Sequence, residues 1–245
     1  MEVDYGGSTH PGPGGGPVMT GTTIMAVEFD GGVVMGADSR TSSGNYVANR
    51  VSDKISPLAD NIYICRSGSA ADTQAISEMV RHYVSSHAIE VGRMPEVKAA
   101  ANLVKMIAYN NKSNLMAGMI VAGWDAREGG SVYNIPLGGA MLRQPFCIGG
   151  SGSTYIYGHC DATFREGMSK KECQEFVFKA VTLAMARDGS SGGVVRLCTI
   201  DKHGVERSFF PGNKLPLYHE EIGEPGILES QRGRPVSQER MAAMQ

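Results

Sequence analysis

The sequence predicts an α+β fold in which two packed sheets lie between helical layers. The order of hydrophobic periods is the first sign of it: strands, two helices, strands, one or two further helices, then strands again. The second is a set of Gly-rich turn signals between short apolar runs, drawn from 32 glycines. The third is size, because 245 residues at 42% hydrophobic content suffice for one large core.

Taken in order, residues 1–20 are Gly/Pro-rich, weakly charged and without an apolar run, so they fit neither a signal peptide nor a spanning helix. They read as a removable leader. Residues 23–29 are strand-like, Asp30-Gly31-Gly32 is a turn signal, and 33–37 resume an apolar strand. Pairing Asp30 with Val33 places Asp38 opposite Met25, near the start of the first strand. Lys54 is assigned to a third strand. Alternation through 61–68 puts Arg66 and Gly68, and by extension Ala70, on one side. Helical periods cover 70–91 and 96–115, broken at 92–95, and predict a helical hairpin. Strands at 119–124 and 131–135 are joined by a turn at 127–130. Ser169 and Glu172 form a capping box for a helix running to Arg187. A strand at 194–200 and a turn at His203-Gly204 complete the domain. The charged tail after His219 reads as disordered or partner-dependent.

A net charge of −2 and a pI near 6.3 leave no electrostatic footprint for nucleic acid or an anionic membrane. The five cysteines, Cys65, Cys147, Cys160, Cys173 and Cys198, are odd in number and contain no C-x-x-C pair. This points to reduced thiols packed as small hydrophobes. His82 and His87 are five apart, the wrong spacing for ligands on one helical face, and neither a metal nor a cofactor is expected.

The chemistry is concentrated at Gly21-Thr22-Thr23. A threonine hydroxyl needs an adjacent base, and the α-amine of the same residue supplies one if the Gly21–Thr22 bond is cut. Such an amine titrates near ~7.7 to 8.0, poised for general-base work. As numbered, the Thr22 nitrogen is an amide and cannot serve. A carboxylate at Asp38 returning to the start of the first strand would hold Lys54 charged beside Thr22. Read singly, Asp38 is a turn residue and Lys54 a solvated surface charge; the joint spacing favours a site.

The segments Gly21-Thr22-Thr23-Ile24-Met25-Ala26-Val27, Gly36-Ala37-Asp38-Ser39-Arg40, Asp53-Lys54, 66–72, 149–153 and 187–193 together resemble the proteolytic beta subunits of the eukaryotic proteasome core particle, which are N-terminal-nucleophile hydrolases. The resemblance runs from about Gly21 to His219. It implies a four-layer αββα sandwich, with a leader at 1–21 removed by autolysis, a hydrolase domain at 22–219 and a tail at 220–245. It also implies threonine endopeptidase activity on unfolded polypeptides, heteroheptameric rings shared with other alpha and beta subunits, and residence in cytoplasm and nucleus. Carried over by residue, Thr22 is similar to the nucleophile, Asp38 and Lys54 to its charge pair, Ser151, Asp188 and Ser191 to the cluster orienting the terminal amine, and Gly68 to the oxyanion-hole residue. Arg66, Thr41, Ser52 and Ala70 correspond to substrate-binding positions.

Arg66 beside the oxyanion site resembles the caspase-like specificity, with a guanidinium awaiting a carboxylate on the residue before the scissile bond. The alternative for Arg66 is neutralisation by an internal acid such as Asp72. For the whole chain the alternatives are a non-catalytic ring subunit or a small-amide amidase of similar fold. Without the resemblance, 149–153 would be a weak phosphate-loop candidate and Asp188-Gly189 an ordinary turn.

Overall fold

A computed structural model of the chain describes residues 21–43 and 46–218. The expected leader, 1–20, and the tail beyond Tyr218 lie outside the described residues. The compact unit ends at Leu215; of the second unit, Pro216–Gln245, only 216–218 are described, and they form no regular element.

Strands β1 (Ile24–Phe29) and β2 (Gly32–Ala37) form the opening hairpin. Its loop is the two residues Asp30-Gly31, with Gly31 at φ 105°, a value that costs glycine little. Phe29 pairs with Gly32 and Ile24 with Ala37, so Asp38 comes level with Thr23, and its N–H donates to the Thr23 carbonyl at 3.1 Å. The expected pairing of Asp38 with Met25 is therefore off by two residues, because the two-residue loop is Asp30-Gly31 in place of Gly31-Gly32. A shift of two preserves which face each side chain occupies.

A small hairpin follows, half-buried β3 (Thr41–Ser43) with exposed β4 (Tyr46–Asn49). Lys54 is not within a strand; it immediately precedes β5 (Ile55–Ala59), which pairs with β6 (Ile62–Gly68). Helix α1 (Ala70–Val91) is capped by Ser69, whose side chain accepts the Asp72 N–H, and stops at left-handed Gly92. Helix α2 (Val97–Asn110) ends five residues earlier than expected. Strands β7 (Ala117–Asp125), β8 (Gly129–Ile135), β9 (Leu142–Arg143) and β10 (Phe146–Gly149) come next. Helix α3 (Tyr157–Thr163) is short. Helix α4 (Lys170–Arg187) carries the predicted Ser169–Glu172 capping box and leads to β11 (Val195–Asp201) and β12 (Gly204–Phe210).

Two five-stranded antiparallel sheets result, in the orders β10-β1-β2-β11-β12 and β5-β6-β7-β8-β9. Alternation along each strand divides the core into three. Met25, Val27 and Val34 face α4 with Val177, Ala180 and Val181. Ile24, Ala26, Val33 and Met35 face the other sheet, meeting Cys65, Ile120 and Val132. On the far side, Ile62, Ile64 and Val121 pack against Ile76, Val80 and Val84 of α1 and Val97, Ala101 and Val104 of α2. The order helix, sheet, sheet, helix is the αββα sandwich expected. Both faces of β1 are covered, which is why it reads as a continuous apolar run. Each such aliphatic side chain contributes about 1.5 to 3 kcal/mol by burial. All five cysteines are buried and free, and burial pushes the Cys160 and Cys173 thiols up to about 11 and that of Cys198 to about 12. Among the described residues no helix is long and apolar enough to cross a membrane.

Candidate active site

The start of β1 lies at the end of one sheet, where the approach to the other sheet brings Lys54 and the end of β6 alongside. Thr22 is 2% exposed, Lys54 6% and Asp38 fully buried. Asp38 is satisfied on both oxygens: Oδ1 accepts from Lys54 Nζ at 2.8 Å and the Thr23 N–H at 2.9 Å, and Oδ2 from the N–H groups of Gly192 and Arg40 at 3.0 and 3.1 Å. Lys54 Nζ reaches two more acceptors, Thr22 Oγ and the Gly21 carbonyl, each at 3.1 Å. These three acceptors match the three donors of an ammonium. Burial pushes the Lys54 pKa below its usual value, and the Asp38 carboxylate opposes that shift.

The Thr22 hydroxyl donates to the Gly21 carbonyl oxygen at 2.7 Å. On the nitrogen side, the Thr22 N–H donates to Ser151 Oγ at 3.0 Å. Ser151 gives its own proton to Asp188 Oδ2 at 2.7 Å, and Ser191 donates to the same oxygen at 2.6 Å. With the Ser191 proton committed, Thr23 Oγ1 is the donor in its 2.7 Å contact with Ser191 Oγ. Close backbone passage holds the strand start in place. The Gly152 N–H donates to the Thr22 carbonyl at 3.1 Å, and Gly150, at φ 83°, leaves room where a Cβ would lie 2.1 Å from that oxygen.

A cleft with about 50 Å³ of open space lies beside Thr22 and Lys54. It is lined by Thr41, Ser52, Arg66, Gly68 and Ala70, which brings together every residue expected at the substrate-binding side. Arg66 Nη2 donates to the Asp53 carbonyl at 2.7 Å, while its buried Nε has no hydrogen-bond partner. Burial lowers the Arg66 pKa, opposed by the nearby Asp53 carboxylate, which is itself gripped by Arg207 Nη2 at 2.8 and 3.0 Å. Asp72, the alternative partner for Arg66, instead accepts from the Met116 N–H at 3.2 Å. A larger cavity of about 480 Å³ opens on the other side of the junction, lined by Gly21, Ile24, Met116, Ile148, Ser151 and Ser190 among others.

Two contributors had escaped the sequence reading. Arg40 donates from Nη1 to the Gly189 carbonyl at 2.8 Å, and its guanidinium lies against Gly192, tying down the loop that carries Asp188 and Ser191. Thr23 joins the Asp38 and Ser191 halves of the network. No periodicity signals either role. The assembly offers a hydroxyl, an ammonium beside it and a nitrogen held by a Ser–Asp pair, a constellation suited to nucleophilic attack on a carbonyl.

A sequence profile described as "Proteasome subunit" matches residues 18–200. The chain is 64% identical over 200 residues to proteasome subunit beta type-6 of Dictyostelium discoideum, covering 82% of this chain and 94% of that one. It is 57% identical over 206 residues to the beta type-6 subunit of Arabidopsis thaliana, covering 84% and 88%. To proteasome subunit beta type-9 of Homo sapiens it is 56% identical over 209 residues, covering 85% and 95%.

Proposed function

Because the chain belongs to the beta subunits of the proteasome family, whose members assemble with other proteasome subunits, we propose that it is a threonine endopeptidase of the core particle that frees its own nucleophile. The observation that carries this reading is the placement of Thr22 Oγ between Lys54 Nζ and the Gly21 carbonyl. Leader removal begins when Oγ attacks the Gly21 carbonyl carbon. The C–N bond breaks, the nitrogen takes up a proton, and residues 1–21 are left as an ester on Oγ. Water then hydrolyses the ester, releasing the leader as an acid and leaving Thr22 with a free amine and hydroxyl.

In peptide cleavage the amine accepts the Oγ proton as Oγ attacks the substrate carbonyl. The Gly68 N–H is assigned to the developing oxyanion, a contribution of about 2.7 to 4 kcal/mol for one such donor. The amine passes its proton to the leaving nitrogen, and water clears the acyl-enzyme. Lys54 acts as a fixed cation that favours loss of the hydroxyl proton, and Asp38 keeps it charged and in place. Ser151, held by Asp188, orients the amine.

Arg66 in the cleft beside Gly68 supports a preference for acidic residues before the scissile bond, with Thr41, Ser52 and Ala70 flanking the substrate. Unfolded polypeptides are the substrate class, within rings shared with other subunits in cytoplasm and nucleus. The test combines N-terminal sequencing of the assembled subunit with hydrolysis of matched peptides ending in Asp or Leu. A chain beginning at Thr22 and cleaving after Asp supports the reading. An intact Gly21–Thr22 bond in assembled particles would make the subunit a structural ring member.

A further inference from the structure

Gly21 is enclosed on one side by Ser190. A Cβ added at position 21 would lie 1.8 Å from the Ser190 Cβ and 2.7 Å from both its Cα and its carbonyl oxygen. Contacts that short are not tolerated, so any larger residue forces one of the two segments to move. The Ser190 segment is pinned. Its N–H donates to Asp188 Oδ1 at 3.0 Å, the Ser191 N–H donates to the Asp188 carbonyl at 3.0 Å, and Arg40 holds the Gly189 carbonyl. Movement therefore falls on residue 21, whose carbonyl oxygen is what Thr22 Oγ and Lys54 Nζ hold at 2.7 and 3.1 Å.

We propose that Ser190 is a positioning residue for leader removal: it forms a wall that admits only glycine at position 21 and so keeps the Gly21 carbonyl against Thr22 Oγ and Lys54. The proposal rests on reading Gly21–Thr22 as the self-cleaved bond. Its effect is geometric. A side chain at 21 leaves Thr22, Lys54 and Asp38 unaltered but displaces the carbon that Oγ must reach, and a misplacement of ~1 Å is enough to cost roughly a hundredfold in rate.

The experiment follows leader release by intact mass in full-length chains assembled into particles. Gly21→Ala should slow release by roughly a hundredfold. Adding Ser190→Gly should recover at least about tenfold of that loss, the scale of relieving one overpacked contact, because the Cβ–Cβ clash is gone and the segment is freer to yield. Ser190→Ala keeps the Cβ and should recover nothing. Normal release from Gly21→Ala, no recovery with Ser190→Gly, or equal recovery with Ser190→Ala would each overturn the proposal. Thr22→Ala is run in parallel: if that chain also loses residues 1–21, it is the self-cleavage reading that fails, whatever Ser190 does.

Discussion

Thr22 Oγ donates a hydrogen bond to the carbonyl oxygen of Gly21, the residue that precedes it in the same chain, across 2.7 Å. The hydroxyl thus rests beside the bond it is proposed to cut, and Lys54 supplies a second donor to the same oxygen at 3.1 Å. Both donors polarise the carbonyl. Replacing Thr22 by Ala removes the hydroxyl that lies against that carbonyl while leaving the glycine junction intact. Assembled Thr22→Ala particles should retain residues 1–21, measured as intact mass. A chain starting at residue 22 in that variant would assign the cut to another protease.

Lys54→Ala should abolish leader release and peptidase activity. Removing one member of a buried ion pair typically costs about 3 to 5 kcal/mol, but Asp38 would keep its three backbone N–H donors, so the domain should still assemble. Lys54→Arg keeps charge without the compact three-donor head and should also be poor. Labelling of leader-free particles by an electrophile that captures terminal threonine reports the result. Normal labelling of both variants would remove Lys54 from activation.

Burial lowers the Lys54 pKa, so the neutral amine becomes available at lower pH than for a solvated lysine. Because the ammonium is what favours loss of the Thr22 hydroxyl proton, leader release should slow as pH rises through an apparent pKa below lysine's ordinary value of about 10.4. Release rates of freshly assembled particles across pH give the profile. A rate that instead rises through that pKa would make the neutral amine a proton relay and overturn the fixed-cation role.

Ser151→Ala should lower kcat/KM by about one to two orders of magnitude, because the amine carries a positive charge when it holds the Oγ proton and a hydrogen bond to a charged group is worth about 1.5 to 3 kcal/mol. The acceptor at 3.0 Å favours the charged amine. Its loss lowers the amine pKa, so the acidic limb of the pH profile should move to lower pH. Leader-free particles provide the measurement, and an unmoved acidic limb would argue against Ser151 as the amine's partner.

Arg66→Leu should depress cleavage after acidic residues and raise cleavage after apolar ones. A charge-assisted hydrogen bond to the substrate carboxylate is worth roughly 1.5 to 3 kcal/mol, or one to two orders of magnitude in kcat/KM. The readout is the ratio of kcat/KM for peptides ending in Asp and Leu, with the other active subunit types blocked. An unchanged ratio would remove Arg66 from substrate recognition.

Much of this arrangement was legible because it is local. Thr22 and Asp38 are joined by one hairpin, and strand alternation carries Arg66 and Gly68 to the same side. The two-residue error in register arose because Asp30-Gly31-Gly32 accommodates more than one turn, and only tertiary pairing selects among them. Leu115 extended the apparent period of α2 because it packs on the same core from a loop after Asn110. The small hairpin β3–β4 and the four-residue β10 are too short to show a period. Ser151 stands 129 residues from Thr22, so spacing alone could not join them; the resemblance of whole segments did. The wall at Ser190 had no signal at all, since it depends on a missing atom at Gly21 meeting a backbone far along the chain.

The Thr22 nitrogen already faces Ser151 Oγ while it is a peptide nitrogen. On the self-cleavage reading, the dormant and active chains are therefore distinguished at this point by valence instead of shape. Breaking one bond converts a non-basic amide into a basic amine with its partner in place. The one intermediate of such a latch is the ester on Oγ. Thermal loosening, a bound neighbour or a shifted loop leaves the nitrogen an amide, and once the ester has been hydrolysed no relaxation of the fold restores the safety.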